Sequence, residues 1–330
     1  VLISVYNISG YLMAEVRALL ERGAQVTIIE RPCSLSAAAH AKHPEIKWLN
    51  RESYATEQDL FNAIGDPLPD IYLCCGWDDR QCRRLARSLR RKWTMTVVGV
   101  DTPWEGRTRQ YVHCLYSRFY LTRTFDVGWG AGAPQVKYLK WLGFRKDRRA
   151  VGFYSADTQK FAMLARQTGN SWPHTFLFVG RFVPYKKVIE IGRAFANALD
   201  LLPQSDWRMR FIGDGPLWDA RVQHPRIEYL GYKSPEEIQE YVGDAGVFVL
   251  PSQGEHWGVV VHEFAAMGLP LLCSKSVCAT SMFLRQNENG FLFDPQDEGS
   301  MVEGLVKMMC LTDVELIAMG QKSRALGLSS

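Results

Sequence analysis

The chain has 330 residues, enough for two domains with a core each, and its 22% charged and 47% hydrophobic residues are the balance of an ordinary folded protein. No apolar run approaches the roughly 20 residues a bilayer-spanning helix needs, and a formal charge of +4 is too small to argue for nucleic acid by itself. Eight cysteines, at 33, 74, 75, 82, 114, 273, 278 and 310, form no CxxC pair and follow no signal-peptide pattern, so they read as reduced thiols of a cytoplasmic protein.

In chain order, VLISVYN reads as a strand, and ISGYLMAEVRALLERG as a turn containing Gly10 that leads into a helix. QVTIIE and IYLCCG are strand-like, and GWDDR is a turn whose adjacent Asp78 and Asp79, with no histidine or further carboxylate beside them, read as solvated rather than metal-binding. Residues 80–93, RQCRRLARSLRRKW, set Arg83, Arg87, Arg90 and Arg91 along one face of a basic amphipathic helix. The strand TMTVVGV ends at Asp101 in a DTPW turn, and His113 follows in the apolar helix QYVHCLY. The polar, breaker-containing stretch RQTGNSWPHT, residues 166–175, reads as a linker, giving domains 1–169 and 170–330.

A second series of units begins with the strand FLFVG, whose exit loop RFVPYKK carries Arg181 and Lys186. The strand MRFI runs into GDGP, where Gly213 and Gly215 allow close approach to backbone. This is not a dinucleotide fingerprint, because Trp218 stands where GxGxxG needs its last glycine. PEEIQEYVGDAG is helical, VFVLPS is a buried strand with QGEHWG as its exit loop, and VVVHEFAAM is a helix closed by Gly268 and Pro270. The chain opens directly on a strand and stops at SRALGLSS after a helical pattern, so both ends read as trimmed.

Strand and helix in alternation predict parallel sheets covered by helices, with ligands beyond the carboxyl ends of the strands. Gly10, Asp101, Arg181, Gly213 and Glu255 all fall in loops of that kind. Glu255 precedes a helix start whose amides around Trp257, Gly258 and Val259 suit a phosphate, while Glu263 lies about a turn further in. A carboxylate accepts two hydrogen bonds and so suits the vicinal hydroxyls of a sugar or ribose. Taken alone, the two glutamates read equally well as a helix cap and a solvated helix residue.

VGRFVPYKK, FIGDGP, IEYLGYKSPEEIQEYVGDAGVFVLPS, GEHWGVVVHEFAAMGLPLL and NGFLFDPQD, in that order, resemble the carboxyl-terminal half of the retaining glycosyltransferases of family four. That resemblance covers residues 176 to about 310 and includes the E-x7-E pattern at Glu255 and Glu263. It implies the GT-B architecture, two Rossmann-like domains whose parallel sheets face an inter-domain cleft, the first domain binding acceptor and the second a nucleotide sugar. It further implies that Arg181 and Lys186 hold the donor diphosphate above Gly10, that Glu263 binds the ribose, and that Glu255 faces the sugar. Backbone from Tyr229 through Tyr232 to Lys233 would meet the base. Lys187 stands where the family usually has glycine, and Val100 precedes Asp101 where it often has histidine. Asp101 or His113 then takes the place of that histidine.

The implied reaction is retaining transfer of a sugar from a nucleotide-diphosphate donor to a hydroxyl of a glycan, a lipid-linked sugar or a small molecule. The family's usual mechanism is front-face substitution without metal or cofactor, with Arg181, Lys186, Glu255 and Asp101 around the reacting groups. A second reading is a catalytically silent GT-B partner that binds a nucleotide sugar or glycan; a sugar-nucleotide epimerase fits the ordered motifs less well. The basic helix at 80–93 reads either as an ordinary solvated surface or as a peripheral contact with the anionic inner face of a membrane. Nucleic acid is a distant third.

Overall fold

A computed structural model describes residues 1–6, 8–31, 43–77, 79–163 and 171–329. They fall into two compact units, Val1–Ser155 and Ala156–Ser330. The expected boundary at 169/170 lies outside the described residues, as do Cys33 and Asp78. The carboxyl-terminal part of the expected linker belongs to the second unit's packing: Trp172 is buried there and its indole N–H donates to the Gly246 carbonyl at 2.8 Å.

In the first unit the elements are β1 (Leu2–Val5), α1 (Gly10–Glu21), β2 (Val26–Glu30), β3 (Ile46–Asn50), α2 (Glu57–Ile64), β4 (Ile71–Cys74), α3 (Arg80–Arg90), β5 (Met95–Val100), α4 (Thr108–Thr124), β6 (Val127–Gly130), α5 (Ala133–Trp141) and β7 (Arg149–Val151). The strands form one parallel sheet in the order β3-β2-β1-β4-β5-β6-β7. Leu2 therefore lies between Thr27 and Tyr72. The central strands are almost continuously apolar because both faces are covered. Leu2, Tyr72 and Val98 pack on Leu85, Leu89 and Leu121, whereas Ile3, Ile28 and Leu73 pack on Leu12 and Val16 of α1. Buried Tyr72 satisfies its hydroxyl by donating to Ser4 Oγ at 2.9 Å.

The second unit continues with α6 (Thr158–Met163), β8 (Thr175–Val179), α7 (Val188–Leu201), β9 (Arg208–Ile212), β10 (Ile227–Tyr229), α8 (Pro235–Val242), β11 (Val247–Leu250), α9 (Val259–Met267), β12 (Leu271–Ser274), α10 (Thr280–Phe283), β13 (Gly290–Phe293), α11 (Glu298–Met309) and α12 (Asp313–Leu328). Its sheet is again parallel, in the order β10-β9-β8-β11-β12-β13. Gly268 ends α9 in the left-handed conformation (φ 88°) that the sequence signal requires. Helix α12 lies against α9 because Gly327 carries no Cβ to strike the Ala266 backbone.

Each sheet reverses its strand order once: the chain runs outward from β1 to β3 and returns to β4, and outward from β8 to β10 and returns to β11. Loops leaving the two strands beside such a reversal diverge and leave a crevice for a ligand.

Candidate functional site

In the second unit the crevice is bounded by the loops after β8 and β11. The first ends in a short 3-10 turn, Pro184–Lys186, which turns Lys186 inward; the second carries Glu255. Lys186 Nζ donates to Glu255 Oε2, and the two side chains are only 11% and 17% exposed. The ammonium also lies 5.5 Å from the Tyr185 ring centroid. Lys187 adopts the left-handed conformation (φ 55°) that explains why glycine is common at that position, and its Nζ pairs with Glu190 at 2.9 Å. The two lysines thus face different carboxylates. Arg181 is exposed in the same loop and pairs with no carboxylate among the described residues.

Gly213 and Gly215 stand at φ 141° and 154°, where an L side chain is strained. The close approach that requires glycine is to the neighbouring loop: a Cβ at 213 would overlap the Gly180 carbonyl, and one at 215 would lie 2.6 Å from the Phe182 carbonyl oxygen. Gly180 N–H donates to Ile212 and Phe182 N–H to Asp214, at 3.0 and 2.8 Å. The glycines therefore set the shape of the Arg181 loop from below. Tyr232, after β10, is 74% exposed.

Gly258 starts α9 at φ 89° with no side-chain cap; the Val261 N–H donates to the Gly258 carbonyl at 2.9 Å, which leaves the Val259 and Val260 amides for another acceptor. A Cβ at this position would lie 3.0 Å from Val277 Cγ1 and 3.1 Å from Glu255 Cγ, so glycine here keeps both the turn and the Glu255 position. Trp257 is buried against Phe283 and offers the crevice backbone only, its carbonyl accepting from Ala279 at 2.9 Å. Glu263, half-buried on α9, has its carboxyl pushed up to about 7 by desolvation, with Lys160 pulling the other way. Beside it, His262 is buried: Nδ1 accepts from Ala156 N–H at 3.0 Å and Nε2 donates to the Gly327 carbonyl at 2.8 Å. Burial lowers its pKa, and the neutral ring stacks on Phe283. It is a structural residue.

The first unit has its own cavity of about 230 Å³ at the equivalent reversal, lined by Tyr6, Ser9, Tyr11, Glu15, Cys75, Asp101 and Tyr154 among others. Ser9 caps α1 by accepting from Leu12 N–H at 3.3 Å, and Gly10, the first helical residue, has open space where a side chain would stand. No packing contact requires glycine there, which leaves room for a ligand group. Asp101 receives a hydrogen bond from the Thr102 hydroxyl at 3.3 Å, while Gln135 Nε2 donates to its backbone carbonyl at 2.9 Å. Burial, together with Asp101 and Glu15, raises the phenol pKa values of Tyr11 and Tyr154.

Glu15 is the residue that sequence reading missed. It occupies the apolar face of α1 between Leu12 and Leu19, a position where a carboxylate needs a reason. Desolvation raises its carboxyl to about 7, offset in part by the backbone N–H groups of Ser155 and Tyr154; the Ser155 bond is 3.2 Å. Two carboxyl groups, Glu15 and Asp101, therefore line one cavity.

One alternative is set aside and one expectation corrected by these contacts. His113, on α4, is bonded to the Tyr138 hydroxyl at 3.1 Å and is not among the cavity-lining residues. Asp79 is not in a solvated turn: it is buried, caps α3 through the Gln81 and Cys82 amides at 2.8 and 3.2 Å, and pairs with Arg51. Burial alone would raise its pKa, but Arg51 and those amides hold it below the ordinary value. Among the described residues no three His, Cys, Asp or Glu side chains are gathered as metal ligands.

Residues 173–310 match the family model for group 1 glycosyl transferases. The matched stretch lies wholly within the second unit. An exopolysaccharide phosphotransferase of Streptomyces coelicolor is 33% identical over 143 residues, which are 41% of this chain and 15% of that protein. An uncharacterized glycosyltransferase of Methanocaldococcus jannaschii is 28% identical over 186 residues, 52% of this chain and 48% of that one. The matched region thus spans about half or less of these relatives' length. The crystal structure of Anabaena HepE in complex with UDP superposes with a TM-score of 0.73 at 10% identity, over 99% of this chain and 94% of that one. The fold is GT-B, two Rossmann-like units with parallel sheets. Among the described residues no helix is long and apolar enough to cross a membrane.

Proposed function

We propose that this protein is a retaining glycosyltransferase that moves a sugar from a nucleotide-diphosphate donor to a hydroxyl acceptor. The observation that carries the reading is the pairing of Lys186 with Glu255 beside the uncapped start of α9. It sets an ammonium, first-turn amides and, one loop residue away from the sheet, Arg181 in a crevice that suits a diphosphate. Glu255 holds the lysine in place when the site is empty and accepts sugar hydroxyls when it is filled. Glu263 receives the ribose hydroxyls, and backbone near Tyr232 meets the base. In the first unit, the cavity under Gly10 takes the acceptor, with Asp101 orienting its hydroxyl.

The acceptor oxygen forms its bond to the anomeric carbon on the face from which the diphosphate departs. The bond from that carbon to the phosphate oxygen breaks, its electron pair leaves with the diphosphate, and the acceptor's proton passes to a departing phosphate oxygen. Arg181, Lys186 and the α9 amides stabilise the charge that develops, so the reaction needs neither a metal nor a further cofactor.

Thermal stabilisation by a panel of nucleotide sugars, followed by turnover of the stabilising donor in EDTA, tests this. Turnover is expected to survive the chelator; loss restored by magnesium or manganese would overturn metal independence. Donor binding with no turnover across an acceptor panel would favour the silent partner, a reading kept by the valine at 100 in place of the family's frequent histidine.

A further inference from the structure

Helix α4 presents its apolar side to solvent. The residues it turns inward are Gln110, Cys114, Ser117, Leu121 and Thr124, and the Ser117 hydroxyl is buried without a hydrogen-bond partner among the described residues. Outside lie Tyr111, Val112, Leu115, Tyr116 and Phe119, with Leu115, Tyr116 and Phe119 exposed by 63, 71 and 63%. A surface helix in water ordinarily does the opposite, and a contiguous apolar face of this kind marks a surface that meets something other than water.

Beside it runs α3. The arginines expected to form a free basic face are in part the seam between the two helices: Arg83 lies over the Tyr120 ring, Arg87 Nε donates to Thr124 Oγ1 at 3.0 Å, and Arg90 donates to the Thr122 carbonyl and pairs with Asp126. Between the helices opens a groove of about 580 Å³ lined by Arg87, Arg90, Arg91, Phe119, Tyr120 and Arg123. Neither helix contains an acidic residue. Arg91 and Arg123 pair with no carboxylate among the described residues, and two residues beyond Arg91 the Trp93 side chain is 96% exposed.

We propose that the α3–α4 face docks on an anionic lipid bilayer, the arginine groove taking headgroup phosphates while Leu115, Tyr116 and Phe119 enter the interfacial region. Both halves of the surface are needed for this choice. A polyanion such as nucleic acid would use the arginines and leave Leu115 and Phe119 in water; a protein helix would use the apolar stripe and leave the arginines uncompensated. A bilayer surface uses both. The inference is independent of the donor chemistry, whose residues lie in the other unit.

The test is co-sedimentation with vesicles of phosphatidylcholine alone and of phosphatidylcholine enriched in phosphatidylglycerol. Binding is expected only to the anionic vesicles and should weaken with salt. Arg91→Glu with Arg123→Glu, and separately Leu115→Ser with Phe119→Ser, should each lower binding at least about tenfold while melting temperature and nucleotide binding stay unchanged. No binding of the parent protein to anionic vesicles, or binding that both variants retain, overturns the proposal. Vesicle binding absent with RNA or heparin binding present would assign the groove to a polyanion. Self-association lost in the Leu115 and Phe119 variant, again without vesicle binding, would assign the stripe to a second copy.

Discussion

Replacing Glu263 by glutamine separates the structural cost of this residue from its use. A carboxyl whose midpoint rises from 4.5 to about 7 on folding binds more protons in the folded than in the unfolded chain across that interval. Stability therefore falls as pH rises from about 4.5 through about 7, and the accumulated penalty is on the order of 3 kcal/mol once the carboxylate is ionised. The neutral glutamine escapes it. Urea unfolding at pH 8 should find Glu263→Gln more stable than the parent by an amount approaching that figure, and at pH 4.5 the two should be nearly equal. Nucleotide should bind less well to the variant, because ribose hydroxyls lose a charged acceptor; for Glu263→Ala the loss is about 1.5–3 kcal/mol. Ribose hydroxyls also favour the ionised form, so binding at pH 7 should release protons, measurable by calorimetry in buffers of different ionisation heat. A stability difference that is the same at both pH values would refute the desolvation argument, and unchanged nucleotide affinity would refute the ribose assignment.

Removing one partner of the half-hidden ion pair, in Lys186→Met or Glu255→Gln, should destabilise the protein by roughly 2–4 kcal/mol, and the double variant by less than the sum, as a double-mutant unfolding cycle would show. Donor affinity should not recover in the double variant; recovery would make the pair purely structural. Gly258→Ala should lose about 1–2 kcal/mol of stability and weaken donor binding, because the left-handed start of α9 and the Glu255 position are both disturbed; denaturation midpoints and donor titration read this. Asp101→Asn should cut turnover by ~10²-fold with melting temperature unchanged. Near-parental turnover would return Asp101 to its turn.

Most strands with apolar sequences were legible because burial on both faces writes itself as an unbroken run, as in VLISV and VFVLP, although the equally apolar β12, LLCS, was not read as one. Those that were not are short or interrupted. β6, VGWG, owes its two glycines to α5: a Cβ at 128 would overlap Leu139, and one at 130 would crowd the Val136 amide, so close helix packing erased the strand signature. β7 and β10 are three-residue edge strands with little to bury. In the site, motif residues of the second unit could be found because their loops follow clear strands. Glu15 and Tyr154 could not: one is a charge on an apolar helix face, the other a tyrosine at φ 70°, and their meeting at the cavity depends on strands β1 and β7 lying in one sheet. The periodicity of α4 misleads outright, since its apolar stripe is the exposed one.

The stereochemistry of the product tests the central claim most directly. Proton NMR of the glycoside formed from an α-configured nucleotide sugar, in the presence of EDTA, should show an α-anomeric product appearing together with one equivalent of nucleoside diphosphate. A β-anomeric product would contradict retention, and the absence of any product from folded protein that binds the same donor, across acceptors, would contradict catalysis.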